Sequence, residues 1–256
     1  MNVQELFSLN GKTAIVTGGG RGLGEQIAEA FAEAGANVVV CSRKLETCRE
    51  TADKLEKNGV NCLALECDVT DPDNVERVVA ETKERFGQID ILVNNSGASW
   101  GAPALDMPLD KWEKVMSVNA TGTFLMSQAV GKEMKRQKSG KIINMASVAG
   151  MGGAPSDVLD AIGYSASKGA IISFTKDLAV KLAPYINVNA IAPGFFPTKM
   201  TKGVLAMNAE NILSGTPMSR FGEENDIKGA ALFLAAPASN YVSGHILVVD
   251  GGAQAR

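Results

Sequence analysis

Thr13-Ala14-Ile15-Val16-Thr17 is a short apolar run, and Gly18-Gly19-Gly20-Arg21-Gly22-Leu23-Gly24 follows it directly, before a helical pattern starts at Glu25. The β-branched residues of the first run favour a strand. A strand, a glycine turn and a helix start, in that order, are the context a phosphate site needs. Gly18 permits the tight turn, Gly22 lets the backbone approach a pyrophosphate, and Gly24 allows the helix to pack closely on the strand. The helix N-terminus adds N–H donors and positive dipole. Arg21 and Leu23, between the glycines, complete the candidate cradle for a dinucleotide. The Gly-x3-Gly-x-Gly spacing departs from the ordinary Gly-x-Gly-x2-Gly fingerprint, and a flexible strand-to-helix turn is the alternative reading.

Outward from this unit the pattern repeats. Short β-branched runs recur at 37–41, 62–66, 89–93, 141–145, 187–191 and 246–249, each reading as a strand buried on both faces. Amphipathic stretches of helical period separate them: 22–34, 45–57, 74–86, 110–135, 164–182 and 223–236. Gly35 and Gly59 follow two helices, Asp71-Pro72 precedes a third and Pro184 closes a fourth. Strands alternating with helices of this length make right-handed βαβ units around one parallel sheet. No linker, low-complexity run or internal repeat interrupts them. The expected fold is therefore a single-domain, doubly wound, Rossmann-like α/β sheet of about seven strands with helices on both faces, spanning 1–256. Ligands are expected at the carboxyl ends of the strands.

The second strand ends at Cys41-Ser42-Arg43, where a site for NAD(H) would place an acid for the ribose 2′-hydroxyl. Ser42 and Arg43 stand there instead. Arg43, helped by Arg21, offers a planar fork to a 2′-phosphate, so NADP(H) is favoured and NAD(H) left open. Two solvated arginines at loop edges are the plainer alternative.

Composition narrows the remaining classes. The 256 residues carry 28 acids, 25 Lys or Arg and a net charge of −3, which leaves no basic surplus for nucleic acid. No segment has the roughly 18 uncharged apolar residues of a membrane span, so a soluble, cytoplasmic protein without membrane or nucleic-acid partners is expected. Cys41, Cys48, Cys62 and Cys67 show no zinc spacing with one another or with His245. They read as reduced structural thiols, and no metal site is expected.

Tyr164-Ser165-Ala166-Ser167-Lys168 opens a helical stretch, and the i,i+4 spacing puts a phenol and an ammonium on one face. A nearby cation favours the phenolate and lowers a tyrosine pKa, which makes the pair a candidate proton donor to an alkoxide or acceptor from an alcohol. Such a pair arises by chance often enough that position must support it. Ser147 supplies that support, because it follows the run at 141–145 and so lies at the carboxyl edge of the sheet. It is a candidate to hold a substrate carbonyl, or a turn cap. Asn94-Asn95-Ser96-Gly97 follows the fourth run in the same way.

With these motifs in order, the chain resembles the short-chain dehydrogenase/reductase family from about Leu9 to Gly252. The matches are Thr17-Gly18-x3-Gly22-x-Gly24, Asp68-Val69, Asn94-Asn95-Ser96-Gly97, Asn119, Ser147, Tyr164-x3-Lys168, Pro193-Gly194 and Val249-Asp250-Gly251-Gly252. The resemblance implies an oxidoreductase that interconverts a ketone and a secondary alcohol by hydride transfer, acting on CH–OH groups without a metal. It implies Tyr164 as general acid/base and Lys168 on the nicotinamide ribose, lowering the tyrosine pKa. Ser147 would steady the substrate oxygen, and Asn119 would hold a relay water. Asp68 and Val69 would face the adenine, Asn95 would support the cofactor, and Pro193, Gly194, Phe196 and Thr198 would line the nicotinamide side. It also implies a mobile substrate lid at about 195–213 with an apolar underside of Met200, Val204, Leu205, Met207, Ile212 and Leu213, and a homotetramer built through the helices at 110–135 and 164–182.

Two departures stand out. Ser96 replaces the usual Ala of the Asn-Asn-Ala-Gly turn. Ser147 and Tyr164 lie 17 positions apart, about four more than the common family spacing, and the extra residues fall in 151–162. Asp157 and Asp160 there could read a polar substrate or belong to a solvated loop. The segment Ser42-Arg43-Lys44 and the surroundings of Tyr164 are similar to gluconate 5-dehydrogenases, while the general pattern equally resembles 3-oxoacyl-carrier-protein reductases. The small-molecule substrate is thus expected to be a polyol, a sugar acid or a 3-oxoacyl thioester. A nucleotide-sensing protein that kept the fold without catalysis is the alternative, and it would not need Asn119, Ser147, Tyr164 and Lys168 together.

Overall fold

Strand β1 (Thr13–Thr17) is wholly buried and takes a parallel neighbour on each side, β2 (Asn37–Ser42) and β4 (Ile91–Asn94). The computed structural model, which describes residues 1–255, adds β3 (Cys62–Glu66), β5 (Gly140–Met145), β6 (Ile186–Pro193) and β7 (Ile246–Val249). Together they form one parallel sheet in the order β3-β2-β1-β4-β5-β6-β7. The chain runs outward from β1 to β3, returns to β4 on the other side of β1, and runs outward again. That reversal leaves a crevice between the carboxyl ends of β1 and β4, the place where ligands settle in such sheets.

The helices are α1 (Val3–Leu6), α2 (Gly22–Glu33), α3 (Leu45–Leu55), α4 (Pro72–Phe86), α5 (Leu109–Met116), α6 (Gly122–Gln137), α7 (Ile162–Leu182), α8 (Lys202–Ser214) and α9 (Glu224–Ala235). Alternate residues of each strand serve opposite faces of the sheet. Val16, Val38, Val40, Ile91 and Val93 pack under α2, α3 and α9 with Ile27, Phe31, Leu55 and Leu234. Ile15, Val39, Leu92, Ile142 and Val188 pack under α4 and α6 with Val78, Met126 and Met134. The doubly wound, seven-stranded arrangement is the one the alternating pattern implies.

Several local readings are corrected. The runs at 62–66 and 246–249 are not buried on both faces: β3 and β7 are the sheet edges, and most of their residues are half-buried. The fourth strand begins at Ile91 because Asp90 is used otherwise, its carboxylate accepting from the Thr13 N–H at 2.9 Å and from Lys12 at 3.0 Å. The helix read at 110–135 is α5 and α6 joined by a π-turn, Ser117–Thr121, that carries Asn119. The insertion at 151–162 is an exposed loop as far as Asp157, and its far end is tied down where the Ala102 N–H donates to the Asp160 carbonyl at 2.9 Å.

The segment 195–213 is irregular up to Thr201 and helical beyond it, with a kink at Asn208. Of its expected apolar underside only Ile212 is fully buried, and Met207 points outward at 77% exposure. No helix among the described residues is long and apolar enough to cross a membrane. All four cysteines are free thiols.

Candidate active site

The glycine loop is built as a phosphate cradle. Gly18 and Gly22 have φ of +64° and +58°, values an L side chain resists. A Cβ on Gly24 would lie 2.4 Å from both the Gly18 carbonyl oxygen and the Asn95 Nδ2. Helix α2 begins at Gly22 with no side-chain cap on its first N–H groups, which leaves them for an anion. The strand-end turn of β4 is laced to this loop. The Thr17 hydroxyl accepts from the N–H groups of Asn95 and Ser96, each at 3.0 Å, while Asn95 Nδ2 donates to the carbonyls of Thr17 and Gly18 at 3.0 and 3.2 Å. These residues fit a dinucleotide: the cradle is open backbone that side chains would fill.

Arg21 and Arg43 are exposed at the rim, and Leu23 is half-buried. The Ser42 hydroxyl is engaged in its own turn, accepting from the Lys44 N–H at 3.2 Å. Asp68 lies near Arg43 across the strand ends. Burial pushes its carboxyl up, but the N–H and hydroxyl of Thr70 and the Arg43 charge outweigh that and hold it below the usual range. Val69 is buried and packs against Gly122, where a Cβ would come within 2.5 Å of its methyl.

Ser147, just past the end of β5, lies near Tyr164, at the start of α7, and its hydroxyl favours the phenolate. It is also the turn cap of the alternative reading, since its Oγ accepts from the Ala149 N–H at 3.2 Å. The turn is pressed on α7 at Gly150, where a Cβ would lie 2.4 Å from the Lys168 backbone carbon. Lys168 Nζ lies 5.5 Å from the centre of the Tyr164 ring and donates to the Met145 carbonyl at 2.6 Å. Burial pushes its ammonium down to about 8. The expected lowering of the Tyr164 pKa is not what results: burial raises the phenol, and the nearby Ser147 hydroxyl pulls it only partly back.

Asn119 joins the same constellation through the π-turn. Its Oδ1 accepts from the Ala98 N–H at 2.7 Å, and its Nδ2 donates to the Ala98 carbonyl at 2.9 Å and to the Ser167 hydroxyl at 2.8 Å. Its carboxamide thus reaches Lys168's neighbour rather than Lys168.

Pro193 ends β6, and Gly194 packs against Asp250, which a Cβ would approach to 2.9 Å. The Phe196 ring turns into the core against Gly222, so this residue offers the crevice backbone rather than its ring. The Thr198 methyl lies 3.7 Å from where a Gly22 side chain would begin, and the Met200 methyl 4.0 Å from the matching point of Gly97. Thr198 therefore lies beside the glycine loop, and Met200 beside the turn after β4.

Sequence reasoning missed Met145, Ala98, Thr17 and Ser167. The first two act through backbone groups that carry no side-chain signature. Ser167 lay inside the motif itself, and its place beside Lys168 was the available signal. Among the described residues no group of three or more His, Cys, Asp or Glu side chains is placed to hold a metal.

Residues 18–254 match the family model described as enoyl-(acyl carrier protein) reductase. The chain is 43% identical over 252 residues to the uncharacterized oxidoreductase YgcW of Escherichia coli, covering 97% of this chain and 94% of that protein. It is 40% identical to a 3-oxoacyl-[acyl-carrier-protein] reductase of Synechocystis, covering 96% and 98%. A crystal structure of a gluconate 5-dehydrogenase from Burkholderia cenocepacia, in complex with NADP and tartrate, superposes with a TM-score of 0.94 at 36% identity and covers 100% of both chains. The chain belongs to the short-chain dehydrogenase/reductase family of oxidoreductases.

Proposed function

We propose that the protein reduces a ketone to a secondary alcohol, and catalyses the reverse, using NADP(H) with NAD(H) as the weaker alternative. The observation that carries this reading is the pairing of Tyr164 with Lys168, whose Nζ lies 5.5 Å from the phenol ring centre and is held by the Met145 carbonyl at the carboxyl edge of β5, where Ser147 follows. When bound, the nicotinamide supplies or accepts the hydride. The residues Gly18, Arg21, Gly22, Leu23 and Gly24 would hold the pyrophosphate, Ser42 and Arg43 the 2′-phosphate, and Asp68 and Val69 the adenine. Asn95, Pro193, Gly194, Phe196 and Thr198 would border the nicotinamide end.

In reduction, the Ser147 hydroxyl donates to the carbonyl oxygen and holds it beside the phenol. The Tyr164 proton then passes to that oxygen as negative charge develops on it. The proton lost from Tyr164 is restored through Lys168, whose pKa of about 8 lets it give up a proton near neutral pH. Asn119 would hold a water on the path between solvent and Lys168. In oxidation the same groups run in reverse.

A sugar acid or polyol and a 3-oxoacyl thioester are the substrate classes this reading favours, supported by likeness to the gluconate dehydrogenase and to the 3-oxoacyl reductase. The lid is the segment 195–213, and the setting is a cytoplasmic homotetramer formed through α5, α6 and α7. Exposed Leu109, Phe124 and Val180 on those helices support an oligomer.

The test follows nicotinamide absorbance with NADPH and NADH in parallel, over 5-ketogluconate, 3-oxoacyl and enoyl thioesters, diketones and polyols. Turnover of a carbonyl or alcohol, faster with NADPH, is the expected result. Turnover of the enoyl thioester alone would overturn carbonyl chemistry. Cofactor binding without turnover of any of these would favour the nucleotide-sensing alternative.

A further inference from the structure

One buried hydroxyl ties three pieces of the site together. Ser167 is fully buried, and both hydrogen-bonding roles of its hydroxyl are assigned by its neighbours. Asn119 Nδ2 is a donor only, so Ser167 Oγ accepts from it, at 2.8 Å. The Tyr164 carbonyl is an acceptor only, so the Ser167 proton points there, at 2.7 Å. The Asn119 orientation is fixed in turn, because its Oδ1 must accept from the Ala98 N–H at 2.7 Å. The result is a directional chain from the turn after β4, through the π-turn, to the first turn of α7. In a dry interior each bond in such a chain polarises the next.

We infer that Ser167 is a positioning residue for catalysis, locking the backbone of Tyr164 to Asn119 so that the phenol keeps its place beside Lys168, which stays on the Met145 carbonyl. The inference rests on the proposed role of Tyr164 as the acid/base. Its mechanism is geometric. Ser167 lies between Tyr164 and Lys168 on α7 and, being fully buried, offers no surface to a ligand. A helical serine bonded to its own preceding turn normally does nothing but bend the helix slightly. Here the same hydroxyl also receives Asn119, so removing it frees the π-turn from α7 and strands one Asn119 N–H in the core.

The test compares Ser167→Ala and Ser167→Cys with the parent and with Tyr164→Phe. Three readouts are taken: kcat on the best substrate of the panel, cofactor affinity, and the ultraviolet titration of Tyr164. The last is obtained by subtracting the Tyr164→Phe curve and needs no substrate. Ser167→Ala should lower kcat by about 10- to 100-fold, the cost of a small misplacement of a reacting group. Cofactor affinity should stay within about twofold, since Ser167 faces away from the glycine loop. The Tyr164 midpoint should rise as the phenol moves away from the Ser147 hydroxyl, which favours the phenolate. Ser167→Cys, a near-isosteric and weak donor, should fall between. If Ser167→Ala fails to fold, the Cys variant decides alone.

A Ser167 variant with the parent's kcat and Tyr164 midpoint, whatever its melting temperature, overturns the positioning role. Full activity in Tyr164→Phe would instead overturn the acid/base reading, so the two failures are distinguishable.

Discussion

The Lys168 ammonium donates to the Met145 carbonyl at 2.6 Å, so the one buried cation of the site is held by a strand end and not by a carboxylate. With no anion to favour the charged form, burial brings its pKa down from 10.5 to about 8. The ammonium is therefore lost within the working range, where an ordinary lysine would keep it. Ketone reduction, if it draws protons through Lys168 as proposed, should slow as pH rises through about 8. Lys168→Arg stays protonated throughout and should flatten that limb at a lower plateau. A pH–rate profile of both proteins decides, and an unchanged limb in the Arg variant would assign it to another group.

Tyr164→Phe keeps the ring and removes the proton. Turnover should fall by about 10²- to 10⁴-fold, the worth of a general acid/base, with cofactor affinity retained. Steady-state kinetics beside cofactor titration tests this, and retained turnover would remove Tyr164 from the chemistry.

Arg43→Ala should weaken NADPH binding by roughly tenfold or more, as expected on losing a charge-assisted pair, while leaving NADH nearly unchanged. Fluorescence titration with both nucleotides measures it. Equal loss for the two would mean that Arg43 acts on something other than a 2′-phosphate.

Two glycines should respond oppositely to alanine. At Gly24 the new methyl meets the Gly18 carbonyl and Asn95 at 2.4 Å, so Gly24→Ala should destabilise by ~1–3 kcal/mol and impair cofactor binding. At Gly229, an exposed position inside α9 with nothing within 4 Å, alanine should stabilise by about 0.5–1 kcal/mol. Thermal unfolding of the two variants separates close packing from mere helix preference.

Lys141 gives a pH-dependent stability away from the site. Its Nζ donates to the Ser239 hydroxyl at 2.9 Å, and burial lowers its pKa from 10.5 to about 8. Below about pH 8 both folded and unfolded chains carry the proton, and folding bears the full cost of the buried charge. Between there and 10.5 the unfolded chain binds more protons, so stability rises with pH and the cost fades. Lys141→Met should accordingly raise Tm most below about pH 8 and progressively less above it. A constant gain across that window would mean that packing alone is responsible.

What could be read from sequence follows from where the physics is local. Gly18, Gly22 and Gly24 announce the crevice because backbone conformation and close approach leave few residue choices. Strand β1 was read to the residue because Ala14, Ile15 and Val16 must bury both faces. The π-turn at Ser117–Thr121 was invisible, since one extra residue in a helix leaves no mark on apolar periodicity. The direction of the Tyr164 shift was misread because spacing shows that Lys168 is near but not how dry the site is. Neither the Met145 nor the Ala98 backbone could be found by reading side chains.

The lacing of Thr17 to Asn95 bears on the order in which the molecule comes into being. These partners are 78 residues apart in the chain, so the phosphate loop is not a self-sufficient hairpin of glycines. Its shape waits on β4, which docks beside β1 only after the chain has run out through β2 and β3 and returned. A chain emerging from the ribosome thus has its most recognisable motif early and its working cradle late. The glycines alone therefore do not make the site; a residue 78 positions further along the chain completes it.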